Sequence, residues 1–163
     1  MSVSLYGSGQ TVVQVAQTVV NTALTFSFGT FPTWQAVTGL SVSITPLSTS
    51  NKILVILDMK GGPTAAGMIS GQIQRNGSAI YVPATGSALA STAMIYFGGA
   101  TVGTGSMLAY YLDSPATTSA TTYSASVVGD NGATAYINRD SRDVGTYDPR
   151  TISSITVMEI AYV

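Results

Sequence analysis

The chain is divided into short segments, most of them apolar or alternating between apolar and polar residues, and each ends at Gly, Pro, Asn or Ser. β-branched and aromatic residues recur in these segments, which favours strands. The strongest helical candidate, 11–20, is short and rich in β-branched residues, and it lacks amphipathic helical spacing over three turns. The pattern therefore predicts strands at about 11–20, 22–28, 34–45, 52–60, 68–75, 78–83, 91–98, 106–113, 121–128, 133–138 and 151–163.

Regular spacing of these strands and turns predicts the fold class. We expect an all-β protein, a single-domain antiparallel β-sandwich with a jelly-roll-like arrangement. Residues 1–30 are expected to form an N-terminal strand or arm that packs on the domain or on neighbouring subunits, and 31–163 the sandwich. The Asn-Gly pairs at 76–77 and 131–132 supply the backbone angles of type I′ turns, so each predicts a hairpin.

The predicted strands differ in how many apolar faces they have. Segment 40–44 alternates, so it has one buried and one solvated face. Segments 53–57, 107–112 and 155–163 are apolar, or nearly so, on both faces. An antiparallel strand of that kind needs a cover for its second face. The sequence leaves open whether the protein's own loops or a neighbouring subunit provide it.

Charged residues are scarce, and this shortage changes the picture. They make up 8% of the 163 residues, with a net charge of −1, whereas soluble domains average about 25%. Since a free monomer normally uses charge to stay apart from its copies, the composition indicates extensive subunit contact. The first basic residue is Lys52, which argues against nucleic acid as a partner. Neither a secretory signal nor an apolar run long enough for a membrane span is recognisable.

The residues that usually carry enzyme chemistry are missing. The sequence contains no His and no Cys, which removes the commonest general base and the preferred zinc and iron–sulfur ligands. A serine nucleophile could pair only with Lys52 or Lys60, and both flank a strand as solvated ends do. The seven acids show no spacing that singles out a catalytic pair. We therefore expect no enzymatic activity, no catalytic residues and no cofactor.

Segment 139–150 holds six of the thirteen charged residues, three Arg and three Asp. Its carboxylates could form an oxygen-rich calcium site, but the three guanidinium groups compete for them. We favour a self-neutralising, hydrogen-bonded loop and assign no metal ligands.

The first 51 residues carry no charged side chain and combine apolar residues with Gln, Ser, Thr and Asn. Such a surface can be wet before assembly and buried afterwards without the cost of desolvating charges. The alternative is that these residues form inner strands of the domain. The candidate subunit interface comprises Val13, Gln14, Val15, Gln17, Val19, Ile155, Val157 and Tyr162.

Five strings carry a resemblance: WQAVTGLSVSITP at 34–46, STSNKILV at 48–55, QRNG at 74–77, YLDSP at 111–115 and SSITVMEIA at 153–161. Together they resemble the virion structural proteins of tailed bacteriophages. The resemblance covers about residues 30–163 and consists of strand and turn signatures, without catalytic motifs.

The resemblance implies a jelly-roll-like β-sandwich that oligomerises within a virion. The first role that the resemblance implies is that of a capsid decoration or cement protein, which binds and stabilises the shell. The alternative is a tail-fibre head that binds a host surface receptor. The implied partners are copies of the chain itself, with a trimer as the expected homo-oligomer, and the major capsid protein or tail proteins.

Overall fold

The computed structural model of the chain describes residues 9–64, 66–84, 89–98 and 103–162. These residues form strands separated by turns and loops. The strands are β1 Gln10–Val20, β2 Leu24–Ser27, β3 Gln35–Ile44, β4 Lys52–Pro63, β5 Gly67–Arg75, β6 Ser78–Ile80, β7 Ala93–Phe97, β8 Gly105–Asp113, β9 Thr121–Gly129, β10 Thr134–Ile137 and β11 Ser153–Tyr162.

The strands form two antiparallel sheets that pack face to face. In sheet A, β1, β11, β4 and β8 are neighbours in that order, and β10 and β2 extend the sheet beyond the far end of β4. In sheet B the order is β3-β9-β5, with β6 and β7 both paired to β5. The eight main strands thus follow the orders β1-β11-β4-β8 and β3-β9-β5-β7, a jelly roll. The predicted fold class is confirmed.

The N-terminal segment is an integral part of the sandwich. β1 pairs with β11 from Gln10 to Val20, and β2 pairs with β10. This pairing is the packing on the domain that was expected for an N-terminal strand. A β-bulge interrupts the β1 ladder between Val12 and Gln14 and leaves Val13 as the extra residue.

The two Asn-Gly pairs have different outcomes. Asn76 and Gly77 have φ angles of 49° and 81° and join β5 to β6 as a two-residue hairpin, as predicted. The hairpin prediction at Asn131-Gly132 is wrong, because this turn connects β9 of sheet B to β10 of sheet A. Only Gly132 of this pair has a positive φ, and the Ala133 N–H donates to the Asp130 carbonyl over 2.9 Å.

The core lies between the sheets and is filled by alternate residues of each strand. β4 contributes Ile53, Val55, Leu57 and Met59, and β11 contributes Ile155 and Val157. Sheet B opposes them, with Leu40, Ile69, Ile73, Tyr123 and Val127 among its buried side chains. Because side chains alternate along a strand, every one of these inward residues has neighbours that point outward.

A buried acid at the end of the core anchors β1 to the sandwich. Glu159 on β11 is fully buried. It accepts hydrogen bonds from Asn51 Nδ2 over 2.6 Å, from the Leu47 backbone N–H over 2.7 Å and from Gln14 Nε2. Burial would raise the pKa of Glu159, but these hydrogen bonds outweigh it and hold the pKa below its ordinary value.

A second buried acid joins the sheets at the C-terminal end of β8, in the same row as Glu159 and on the other side of β4. Asp113 accepts hydrogen bonds from Arg75 Nη1 at 2.9 Å and from the Tyr123 hydroxyl at 2.7 Å. Burial and this hydrogen bond to Asp113 raise the pKa of Tyr123 well above its ordinary value. Sheet A, which contains β8, is thus linked to β5 and β9 of sheet B by a charge-assisted network.

We expect Glu159→Gln to lower the free energy of unfolding at pH 7 by about 2–3 kcal/mol, since an amide cannot accept from all three donors. Because the folded-state pKa is lowered, the carboxylate stabilises the fold above its unfolded pKa of about 4.3, and this contribution disappears as the pH falls through the folded-state value. Urea unfolding at pH 7 and at decreasing pH measures both effects. The parent protein, measured over the same pH range, is the reference, and equal acid sensitivity of Glu159→Gln and the parent would contradict this role.

Candidate functional site

The outer face of sheet A is a four-strand surface defined by the strand register. Its members are the outward side chains of β1, β11, β4 and β8. They are Val12, Val15, Gln17 and Val19 on β1; Ser154, Thr156, Met158 and Ile160 on β11; Lys52, Leu54, Ile56, Asp58 and Lys60 on β4; and Ser106, Leu108, Tyr110 and Leu112 on β8.

Three adjacent rows make up the centre of this surface. Val15, Met158, Leu54 and Leu112 lie side by side across the four strands in the first row. The second row contains Gln17, Thr156, Ile56 and Tyr110, and the third contains Val19, Ser154, Asp58 and Leu108. Most of these side chains are aliphatic or aromatic, and the strand register places them next to one another in one apolar patch.

This patch is open to solvent in the isolated chain. Val15 is 57% exposed, Val19 52% and Tyr110 57%. Residues on the inner side of the same sheet, such as Val157 of β11 and Ala109 of β8, are buried. Four strands about 4.8 Å apart and seven residues of about 3.4 Å give a flat area of roughly 450 Å². An exposed apolar patch of that size on a monomer is commonly a functional surface.

Polar groups lie mainly at the two ends of the patch. Lys52 occupies one end, and Lys60 forms an ion pair with Asp58 at the other, where Ser106 Oγ also donates to Asp58 over 2.9 Å. Inside the patch, Gln17 Nε2 donates to Thr156 Oγ1 over 2.8 Å, so these polar atoms already have a partner. An apolar centre with a polar rim is the usual anatomy of a protein interface.

The outer face of sheet B has a different character. Ser41, Ser43, Thr122 and Ser124 line its β3–β9 part, and their hydroxyl groups suit a hydrated surface. Further along, the segment at 89–92 covers the sheet.

Two contacts fix this covering segment. Gln72 Nε2 donates to the Ala90 carbonyl over 2.5 Å, and the Thr92 N–H donates to the Gly71 carbonyl over 2.8 Å. The protein's own chain therefore covers part of the outer face of sheet B. On the outer face of sheet A, Leu54 and Ile56 are half-buried, and the flanking side chains of β1 and β8, such as Val15 and Tyr110, are exposed.

Three of the predicted interface residues belong to the outer face of sheet A. Val15, Gln17 and Val19 project outward from β1. Val13 is the bulge residue and is 40% exposed. Gln14 belongs to the buried network, since its side chain donates to Glu159 and to the Thr45 carbonyl. That these residues contact another subunit stays a prediction.

Two interface residues were assigned wrongly. Ile155 and Val157 are 0% exposed and pack in the core, because their positions on β11 face sheet B. Residues on the same strand that do face outward are Thr156 and Met158. The side chain of Tyr162 lies outside the described part of the structure.

The sequence reasoning missed the contributions of β4 and β8 to this surface. Leu54, Ile56, Leu108, Tyr110 and Leu112 provide half of its apolar side chains. The sequence did indicate such residues, because segments 53–57 and 107–112 are apolar on both faces. The structure places these segments next to each other and next to β11, so their second faces form one surface.

The loop at 139–150 is self-neutralising, as the favoured interpretation expected. Arg150 forms two hydrogen bonds of 2.7 Å with Asp143, and Arg142 pairs with Asp148 at 2.5 Å. A hydrogen bond from the Val144 backbone N–H and the charge of Arg142 hold the pKa of Asp148 below its ordinary value. Among the described residues, no three acidic side chains are grouped so that they could hold a metal ion.

Comparison with known proteins gives no relative. No family model matches the chain, and no curated protein matches it. Within the described ranges, no helix has the length and apolar character needed to cross a bilayer.

Lysine substitutions should distinguish the two faces of sheet A. Val15→Lys adds a charge to an exposed position, so we expect the free energy of unfolding to change by about 1 kcal/mol or less. Val157→Lys places an unpaired charge in the core, and we expect it to prevent folding or to cost several kcal/mol. Urea unfolding of both variants measures the difference. Similar losses in the two variants would contradict the assignment of the faces.

Proposed function

We propose that this chain is a structural subunit of a bacteriophage virion, a capsid decoration or cement protein that attaches through the outer face of sheet A. The observation that carries the proposal is the apolar patch around Leu54, Ile56 and Tyr110, which spans four strands, whereas the outer face of sheet B exposes Met94 and Tyr96 on one edge strand. Attachment removes this patch from water, and many identical attachments stabilise a shell.

Two further features support this role. The jelly roll presents the open face of a four-strand sheet, which suits docking better than the enclosure of a small substrate. The capsid setting itself comes from the resemblance of the strand and turn strings, such as the one at 34–46, to tailed-phage virion proteins.

Copy number and attachment test this function together. Quantitative mass spectrometry of particles produced by the genome that encodes the chain should find it in amounts comparable to the major capsid protein. Particles stripped of the protein should rebind it and resist heat better than bare particles. Absence from the particles, or presence in only a few copies at the tail, would contradict the cement role.

Variants of the outer face show whether this surface makes the attachment. Leu108→Lys should weaken binding to stripped particles at least tenfold, which corresponds to about 1.4 kcal/mol, because a charge would replace a leucine in the buried contact. Ser43→Lys on the outer face of sheet B is the matched control and should bind as the parent does. Equal binding of Leu108→Lys and the parent would show that this face is not the attachment surface.

A tail-fibre head is the second candidate, and one loop favours it. Tyr147 is 92% exposed and Val144 83% exposed in the loop at 139–150. Arg150 and Asp143 brace this loop, so it presents an aromatic side chain at little cost in ordering entropy, as receptor-contacting loops do.

The receptor hypothesis predicts that the purified protein binds host cells and that Tyr147→Ala reduces this binding at least tenfold. Tyr96→Ala, at an exposed tyrosine of β7, is the control and should bind normally. A failure of the parent protein to bind cells would exclude the receptor-binding role.

A further inference from the structure

We infer that the outer face of sheet A pairs with the same face of a second copy of this chain, around a two-fold axis that runs parallel to the strands. In this arrangement β8 of one copy lies over β1 of the other, and β4 lies over β11. The inference rests on the proposed role of that face in assembly and names its occupant in the free protein, a second copy that has to leave before the same face can attach to a shell.

Shape favours a second sheet as the occupant. The surface spans four strands, and the face of one sheet packs against another sheet about 10 Å away with interlocking side chains. The same surface on a second copy satisfies this requirement, and a two-fold axis makes every contact occur twice.

The side-chain sizes across the surface select the direction of the axis. The β8 edge carries the bulky side chains Leu108, Tyr110 and Leu112, whereas the β1 edge carries smaller valines. An axis parallel to the strands places the bulky edge of each copy over the small edge of the other, which fills the space evenly. An axis perpendicular to the strands would stack bulky on bulky and leave a gap beside the valines.

Under this operation, apolar side chains of one copy face apolar side chains of the other in the first and third rows. Leu112 of one copy opposes Val15 of the other, Leu54 opposes Met158, and Leu108 opposes Val19. Each of these is a contact between two apolar side chains.

The polar positions match in the same way. Tyr110 opposes Gln17, which can accept its hydroxyl hydrogen through Oε1 while its amide stays bonded to Thr156. Asp58 opposes Ser154, which can donate to its carboxylate.

Charge does not oppose this pairing. Asp58 and Lys60 neutralise each other within each copy, so bringing two of these ends together adds no net charge. Lys52 lies at the opposite rim, where its long side chain can reach solvent.

The area indicates the strength of the contact. Two faces of roughly 450 Å² give about 900 Å² in total, which is below the roughly 1,200 Å² of stable specific interfaces and matches a weak, transient contact. The pair should therefore dissociate at about micromolar concentration or above.

Complementary charges test the orientation with the full chain. Val19→Lys and Leu108→Asp should each prevent self-association. The dimer contains the contact between residues 19 and 108 twice, and each variant alone places a charge against an apolar side chain in both contacts. A mixture of the two variants should form a dimer, since Lys at 19 of one chain then opposes Asp at 108 of the other. Sedimentation velocity at high micromolar concentration should show the parent and the mixture at twice the monomer mass and each variant alone as a monomer.

A second pair of variants, Val15→Lys with Leu112→Asp, repeats the test one row away and replaces the first pair if either of its variants melts early. A monomeric parent, or a trimer as the resemblance implies, would overturn the two-fold pairing. A dimeric parent whose mixed variants stay monomeric would overturn the placement of β8 over β1. Particle binding is measured separately, so a failed dimer with intact attachment would leave the proposed function standing.

Discussion

Sheet A has two apolar faces, and a two-layer sandwich has room for only one of them inside. Ile53, Val55 and Leu57 of β4 face sheet B and are buried, while Leu54 and Ile56 between them face outward. A strand in the middle of a sheet cannot hide its second face, because alternate side chains must project to opposite sides. The second face therefore requires a cover that sheet B cannot provide.

The distribution of charge reinforces this constraint. Five of the six basic side chains form ion pairs with aspartates of the same chain. Glu159, Asp113 and Asp140 are buried and accept hydrogen bonds. The few charges that the sequence contains thus brace loops and strand ends of the chain itself. In the three central rows of the outer face of sheet A, the charged side chain is Asp58, and Lys60 neutralises it, so little net charge is left there to keep copies or partners apart.

The fold was predictable from local patterns, because turn residues and β-branched runs determine strands over short distances. The alternation at 40–44 gave the buried and exposed sides of β3 correctly. Which strands become neighbours depends on contacts far apart in the chain, and no local pattern encodes that. Asn131-Gly132 shows the same limit, since a sharp turn can join two sheets as well as two paired strands.

The candidate site was predictable only in part, because the sequence does not show which alternate residues of a strand point inward. A strand that is apolar on both faces does not reveal which residues point inward, so Ile155 and Val157 were assigned to the wrong side. In β1, the bulge at Val13 reverses the alternation, so Val12 and Val15 both face outward and Gln14 turns inward. These assignments follow from the register with β11, which only the folded arrangement supplies.

The central claim is that the outer face of sheet A docks onto another protein surface, and hydroxyl-radical footprinting tests it most directly. Met158 and Tyr110 lie on that face, whereas Met94 and Tyr96 are exposed on β7 of sheet B. Oxidation should be measured at low and high protein concentration and on particles that carry the protein. The account predicts that Met158 and Tyr110 become protected at high concentration or on particles, while Met94 and Tyr96 stay reactive. Unchanged oxidation of Met158 and Tyr110 under all three conditions would contradict it.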